Sequence, residues 1–309
     1  EALIVPGIDF ARAHDMDLHV VGLVGTLAQV RLMQGRLDEA QALAAELLQA
    51  KPSAASSSTT HLTVATIAAT VAMLKDPGAE PSALQTHWAA ALASQEPDCI
   101  VPLALALAEA AWLRGDHERS AGVVHEALRA CADLTPWDRG ELACWLQRTG
   151  QEPHALSAAA VAEPGRLELD GDLAAAAEAW HALGMPRHQA YALLLMDPRD
   201  QPDALAQAIA LFDRIGAAAC AEHARRHARK LASVGVKGIK TGPRAAARAN
   251  RFGLTPRELQ IAAQLAAGRS NQEIAQALSR SERTVEHHVA TVLAKLGARR
   301  RGDVAGLLT

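Results

Sequence analysis

SERTVEHHVATVLAKL, residues 281–296, is the stretch on which the reading of the whole chain turns. Wound as a helix, it places Val285, Val289, Val292 and Leu296 on one narrow stripe, at steps of four, three and four residues. Arg283, His287, Ala290 and Ala294 then fall about half a turn away, with Glu286 and Thr291 at the edges of that outward face. Such a helix buries its back and keeps a polar front for something other than its own core. Its ends are well marked. Ser281 is a good N-cap, and Lys295 lies in the last turn before Gly297, where a cation and a glycine stop both suit a helix C-terminus.

Working upstream, Ser270-Asn271-Gln272-Glu273 has the spacing of a capping box, in which hydroxyl and carboxylate each satisfy the other residue's amide. It predicts a short helix to Leu278 with Ile274, Ala275 and Leu278 on its apolar side. Ser279-Arg280 is just long enough to turn the chain into the next cap, the spacing of a helix-turn-helix. Thr255-Pro256-Arg257-Glu258 is another start signal, with Pro at the first helical position. From there Leu259, Ala262, Leu265 and Ala266 are expected to face inward, and Gly268 to end the helix. Three capped helices would share one small core.

LTPRELQ (254–260) and GRSNQEIAQALSRSERTVEHHVATVLAKLGARRR (268–301) together resemble the LuxR-type DNA-binding domain, over about sixty residues from Leu254 to the end. The resemblance implies a four-helix domain at 251–309, a helix-turn-helix motif at 271–290 and a recognition helix at 282–296 in the major groove of double-stranded DNA. Arg283, Glu286, His287 and Ala290 would face the base edges, the last three at the family's base-reading positions. Thr284, His288, Lys295, Arg299, Arg300 and Arg301 would hold phosphates, with Ser270 and Asn271 at the start of the preceding helix. Glu286 stands where many relatives carry lysine, and an acid there needs a cytosine amine as donor. Residues 302–308 could form the short final helix through which LuxR-type domains pair, which implies a homodimer on a two-fold operator.

Charge separates the chain into two parts. Residues 1–222 carry 14 Lys and Arg against 29 Asp and Glu, a net of −15, whereas residues 223–309 carry 17 against 5, a net of +12. The basic part is the one that holds the helix-turn-helix, as a phosphate-binding tail requires. Aromatics make up only 3% and alanine is abundant, which favours closely packed helices over a β-sandwich. Cys99, Cys131, Cys144 and Cys220 have no C-x-x-C spacing and read as small buried residues in a reducing cytoplasm. No signal peptide opens the chain and no run of about 18 apolar residues occurs, so neither secretion nor membrane spanning is expected. Glu1 is not Met, which suggests a piece of a longer protein.

Residues 1–234 read as helix pairs. A glycine followed five residues later by a small residue recurs at Gly35/Ala40, Gly78/Ala83, Gly115/Ser120, Gly150/Ala155, Gly171/Ala176 and Gly216/Ala221. The intervals of 43, 37, 35, 21 and 45 hover near the ~34 residues of a tetratricopeptide repeat. The expected fold is therefore all-α: a tetratricopeptide-like α-solenoid over 1–234, a linker at 235–250 and the helix-turn-helix domain at 251–309. Leu23–Gln34 and Leu37–Ala50 form the clearest pair, while Lys51-Pro52, SAASSSTT (53–60) and Asp76-Pro77-Gly78 read as breaks. WDRGELACWLQRTG (137–150), LDGDLAAAAEAWHALGMPRHQAYALLL (169–195) and residues 234–258 resemble the region before the DNA-binding domain in large ATP-binding LuxR-family regulators of bacteria. That resemblance implies a sensor region receiving an effector or a partner protein.

Enzyme motifs are wanting. Gly235-Val236-Lys237-Gly238-Ile239-Lys240-Thr241 falls short of a phosphate loop because an Ile separates the glycine from the lysine. His287-His288 are adjacent and splay apart on a helix, and His223 and His227 lack the intervening glutamate of a metal-assisted hydrolase and read as solvated surface. No catalytic, cofactor or metal residue is expected. The alternative to a regulator is a helical-repeat scaffold for other proteins, in which the terminal domain is vestigial.

Overall fold

The computed structural model describes residues 2–49, 58–152, 161–234, 236, 252, 254, 256–278, 281–298 and 300–308, apart from the side chains of Ser58, Pro256, His287 and Leu308. Every regular element among the described residues is helical. The chain divides into two compact units, Glu1–Lys240 and Thr241–Thr309. The linker expected at 235–250, with its near-miss phosphate loop, lies outside the described residues save Val236.

The larger unit runs α1 (Ile4–Ala13), α2 (Asp17–Met33), α3 (Leu37–Gln49), α4 (Ser58–Lys75), α5 (Ser82–Ser94), α6 (Pro97–Leu113) and α7 (His117–Ala130). It continues through α8 (Pro136–Arg148), α9 (Gly165–Leu169), α10 (Leu173–Ala182), α11 (Pro186–Leu195), α12 (Ala204–Arg214) and α13 (Ala218–Ser233). Neighbours in sequence pack on one another, the solenoid arrangement expected from the helix pairs. One expected break is displaced: Ser58, Thr59 and Thr60 belong to the first turn of α4, and Asp76-Pro77-Gly78 does separate α4 from α5.

The glycine-plus-five spacing has a physical meaning. Gly35, Gly115, Gly171 and Gly216 adopt φ of +72°, +83°, +83° and +75°, the left-handed conformation that closes a helix, each two residues before the next helix begins. The small residues five further on, Ala40, Ser120, Ala176 and Ala221, are all 0% exposed, because a larger side chain in that first turn would hold the paired helices apart. Gly78 has no such φ and Ala83 is exposed, so that member of the series is accidental. Ala155 lies outside the described residues.

α6 is the central rod. Its sequence is apolar all round, as a helix covered on every side must be, and thirteen of its residues are buried. The later helices return to it and to the beginning of the unit. Arg187 on α11 donates to Glu109 of α6 at 2.6 Å, and His223 and Arg226 on α13 reach the Leu113 carbonyl at its end. A Cβ built on Gly35, in the turn between α2 and α3, would lie 2.7 Å from Ile215 and 3.0 Å from Pro186. A repeat in an open solenoid touches only its neighbours; this one is wound until its ends meet.

Aromatic residues fill the middle of the winding. Trp112 meets Trp145, Tyr191 and His223 with ring centroids 5.9, 5.8 and 4.0 Å apart, and Tyr191 meets Phe212 at 5.2 Å. His223 is thus a half-buried ring stacked on a tryptophan, where the i, i+4 histidines had read as solvated surface. The periodicity could not reveal this, since it depends on a partner 111 positions away. All four cysteines are buried and free. Among the described residues no helix is long and apolar enough to cross a membrane.

Candidate nucleic-acid interface

The smaller unit contains α14 (Pro256–Ala266), α15 (Asn271–Ala277), α16 (Glu282–Leu296), a 3₁₀ turn (Arg301–Asp303) and α17 (Val304–Leu308). Leu254, Ile261, Ala262, Leu265, Ile274, Ala275, Val285, Val289, Val292, Leu296 and Val304 form one core. The valine–leucine stripe of α16 is buried as its spacing requires, with Val285 at 1% and Val292 at 0% exposure. Leu259 is a correction. It is 36% exposed, and Ile261 takes the inward place, because Leu254, Glu258, Ile261, Ala262 and Leu265 are the positions of α14 that turn toward α16.

The caps form as the residue types demand. Ser270 Oγ accepts from the Glu273 amide at 3.3 Å, and the Ser270 amide donates to Glu273 Oε2 at 2.7 Å. Hydrogen bonds from the Ser270 amide and hydroxyl hold the Glu273 carboxyl below the usual carboxylate range. Ser281 Oγ accepts from the Thr284 amide at 3.2 Å, and Gly297 ends α16 at φ +65°. Between these fixed ends, Arg283, Glu286, Ala290 and Ala294 are exposed along one side of α16, opposite the buried stripe. Thr291 is half-buried at the margin. The His287 side chain lies outside what is described.

The residues expected on phosphates divide into two sets. Thr284 and Arg300 are exposed and His288 is half-buried, whereas Arg299 lies outside the described residues. Thr284 Oγ1 lies 2.7 Å from Ser281 Oγ, at the exposed start of α16. Others brace the domain. Lys295 Nζ donates to Glu258 Oε2 at 2.7 Å, joining α16 to α14. Arg301 donates to Asn271 Oδ1 at 3.1 Å and to the Arg269 carbonyl, clamping the entrance of α15.

Arg257, which sequence reasoning passed over, donates to the Leu278 carbonyl at 2.9 Å and so satisfies an end group of α15. No spacing signals that contact, because it joins residues on different helices. α17 turns Val304 fully inward and packs against α14, leaving Ala305 and Gly306 exposed.

Two short helices meeting at a capped turn, with the second presenting a polar strip and burying the opposite one, can place an array of side chains in a groove the width of a helix. No curated protein and no solved structure matches the chain. Residues 253–308 match the family described as bacterial regulatory proteins, luxR family, and that segment of the chain is a LuxR-type helix-turn-helix DNA-binding domain of a transcriptional regulator.

Proposed function

We propose that the protein regulates transcription by laying α16 in the major groove of a two-fold operator as a homodimer in the cytoplasm, with no catalytic step of its own. The carrying observation is the exposed strip Arg283, Glu286 and Ala290 on a helix capped at both ends, within a segment of LuxR-family sequence. Groove chemistry assigns each a base class. Arg283 suits guanine O6 and N7, Glu286 accepts from the cytosine N4 amine, and Ala290 packs on a thymine methyl. His287, between them in sequence, completes the set. Thr284, His288, Arg299 and Arg300, with the Ser270–Asn271 turn, meet phosphates. Lys295 and Arg301 serve chiefly to hold the helices, in view of their bonds to Glu258 and Asn271.

The acidic helical-repeat unit, in this reading, receives the signal from an effector or a partner protein. Operator selection from random duplexes with the full chain tests the assignment. Glu286→Ala should relax the choice at one base pair, costing about 1–3 kcal/mol on the preferred sequence, and removal of residues 251–309 should abolish binding. Retained binding after that removal would favour the scaffold instead.

A further inference from the structure

Five helices, α2, α4, α6, α8 and α11, enclose a cavity of about 60 Å³ at the centre of the larger unit. Its wall holds an unusual density of charge for a helical core. Arg148 has a side chain only 3% exposed and lines the cavity beside Arg187, His188, Glu109 and Glu141. The neighbouring carboxylates are already supplied with donors. Glu109 accepts from Tyr191 Oη at 2.5 Å and from Arg187 Nη1 at 2.6 Å. Glu168 accepts from Arg148 Nη2 at 2.5 Å and from Trp180 Nε1 at 3.4 Å, and Glu141 Oε1 lies 2.7 Å from His188 Nε2. Burial alone would raise the Glu141 carboxyl, but His188, Arg187 and Arg148 together hold it below the ordinary range and so ionised.

The unmet groups are all nitrogens. Arg148 Nε, Arg187 Nε and His188 Nδ1 are buried with no hydrogen-bond partner. A guanidinium N–H can only donate, and a buried donor left without an acceptor costs about 1–3 kcal/mol. What the wall demands is therefore an acceptor, and two arginines favour one that is charged. The surroundings select its shape. The Arg148 guanidinium lies 4.8 Å from the Trp145 ring and 5.0 Å from the Tyr191 ring, and Ile67 and Leu105 add apolar wall. A volume of about 60 Å³ admits roughly four water-sized atoms. Gln29 and Pro102 also line a broader groove of about 520 Å³, so a ligand body longer than that has room beyond them.

We propose that this cavity binds a small organic carboxylate, whose oxygens take the N–H groups of Arg148, Arg187 and His188 that the glutamates leave over, with its carbon body against Trp145 and Tyr191. This deepens the proposal that the repeat unit receives the signal, and names an organic acid as the signal's chemical class. Because α11 supplies Arg187, His188 and Tyr191 while α6 supplies Glu109, occupancy ties the late helices to the central rod.

The test uses the full chain, with acetate and pyruvate as probes, acetamide as the uncharged counterpart of acetate, and ionic strength held constant with sodium chloride. Thermal melts and titration calorimetry should show saturable stabilisation by a carboxylate and none by acetamide. Arg148→Lys keeps the charge opposite Glu168 but lacks the Nε donor, and Thr70→Ile fills the cavity without touching an ion pair; each should weaken binding tenfold or more. No carboxylate binding beyond that of acetamide overturns the site, as does wild-type affinity in a variant whose circular dichroism shows it folded. Should Arg148→Lys fail to fold, Thr70→Ile decides. Carboxylate binding that leaves affinity for the selected operator unchanged would uphold the site and overturn the signal-receiving role.

Discussion

Glu168 is 0% exposed and Arg148 only 3%, so their ion pair lives where an unpartnered charge is very costly. Glu168→Gln should destabilise the larger unit by about 3–5 kcal/mol in urea unfolding, and replacing both residues together, as Arg148→Met with Glu168→Leu, should recover most of that loss. His223 makes a second residue-scale prediction. Burial against Trp112, reinforced by Arg226, His227 and His117 and only partly countered by its bond to the Leu113 carbonyl, lowers its pKa from 6.5 to about 4. The unfolded chain therefore takes up the proton first, and stability falls as pH drops from about 6.5 to about 4, by on the order of 2–3 kcal/mol from this group. Urea midpoints measured across that range should flatten in His223→Gln. None of these charges was legible in the sequence. Val285 and Val292 could be assigned to the core because their partners lie a turn away on the same helix, whereas Glu109 is explained by Arg187, 78 positions on.

At the scale of elements, local rules succeed where the determining contacts are local. Ser270 with Glu273, Ser281 with Thr284 and Gly297 each act within four residues, and each cap forms as its side chains dictate. Ser281→Ala should therefore cost about 1 kcal/mol in the melting of the smaller unit and weaken operator binding in parallel, because α16 begins at that cap. The glycine-plus-five spacing was visible but ambiguous, since alanine-rich sequence meets it by accident. What distinguishes the four working instances is a left-handed glycine together with full burial of the small residue. Leu259 and Ile261 show the limit from the other side. Both are apolar and two positions apart, and only the placement of α16 decides which one is covered.

Across the whole molecule, the charge split follows the division of labour. The smaller unit draws on the basic end of the sequence, and if it meets about 4–6 phosphates per subunit, log affinity should fall with log salt at a slope near −0.9 per contact. Gel shifts over a salt series measure this, and a flat response would remove the phosphate contacts from the account. The all-helical character and the two-part organisation could be read from composition and caps, but the winding of the larger unit could not. It depends on the turn at Gly35 lying against Ile215 and Pro186, a juxtaposition of distant residues that no periodicity encodes. That clasp makes a hoop of what would otherwise be a row of independent units. A row can fray from either terminus one pair at a time; a hoop has no loose end, and so should open all at once or not at all.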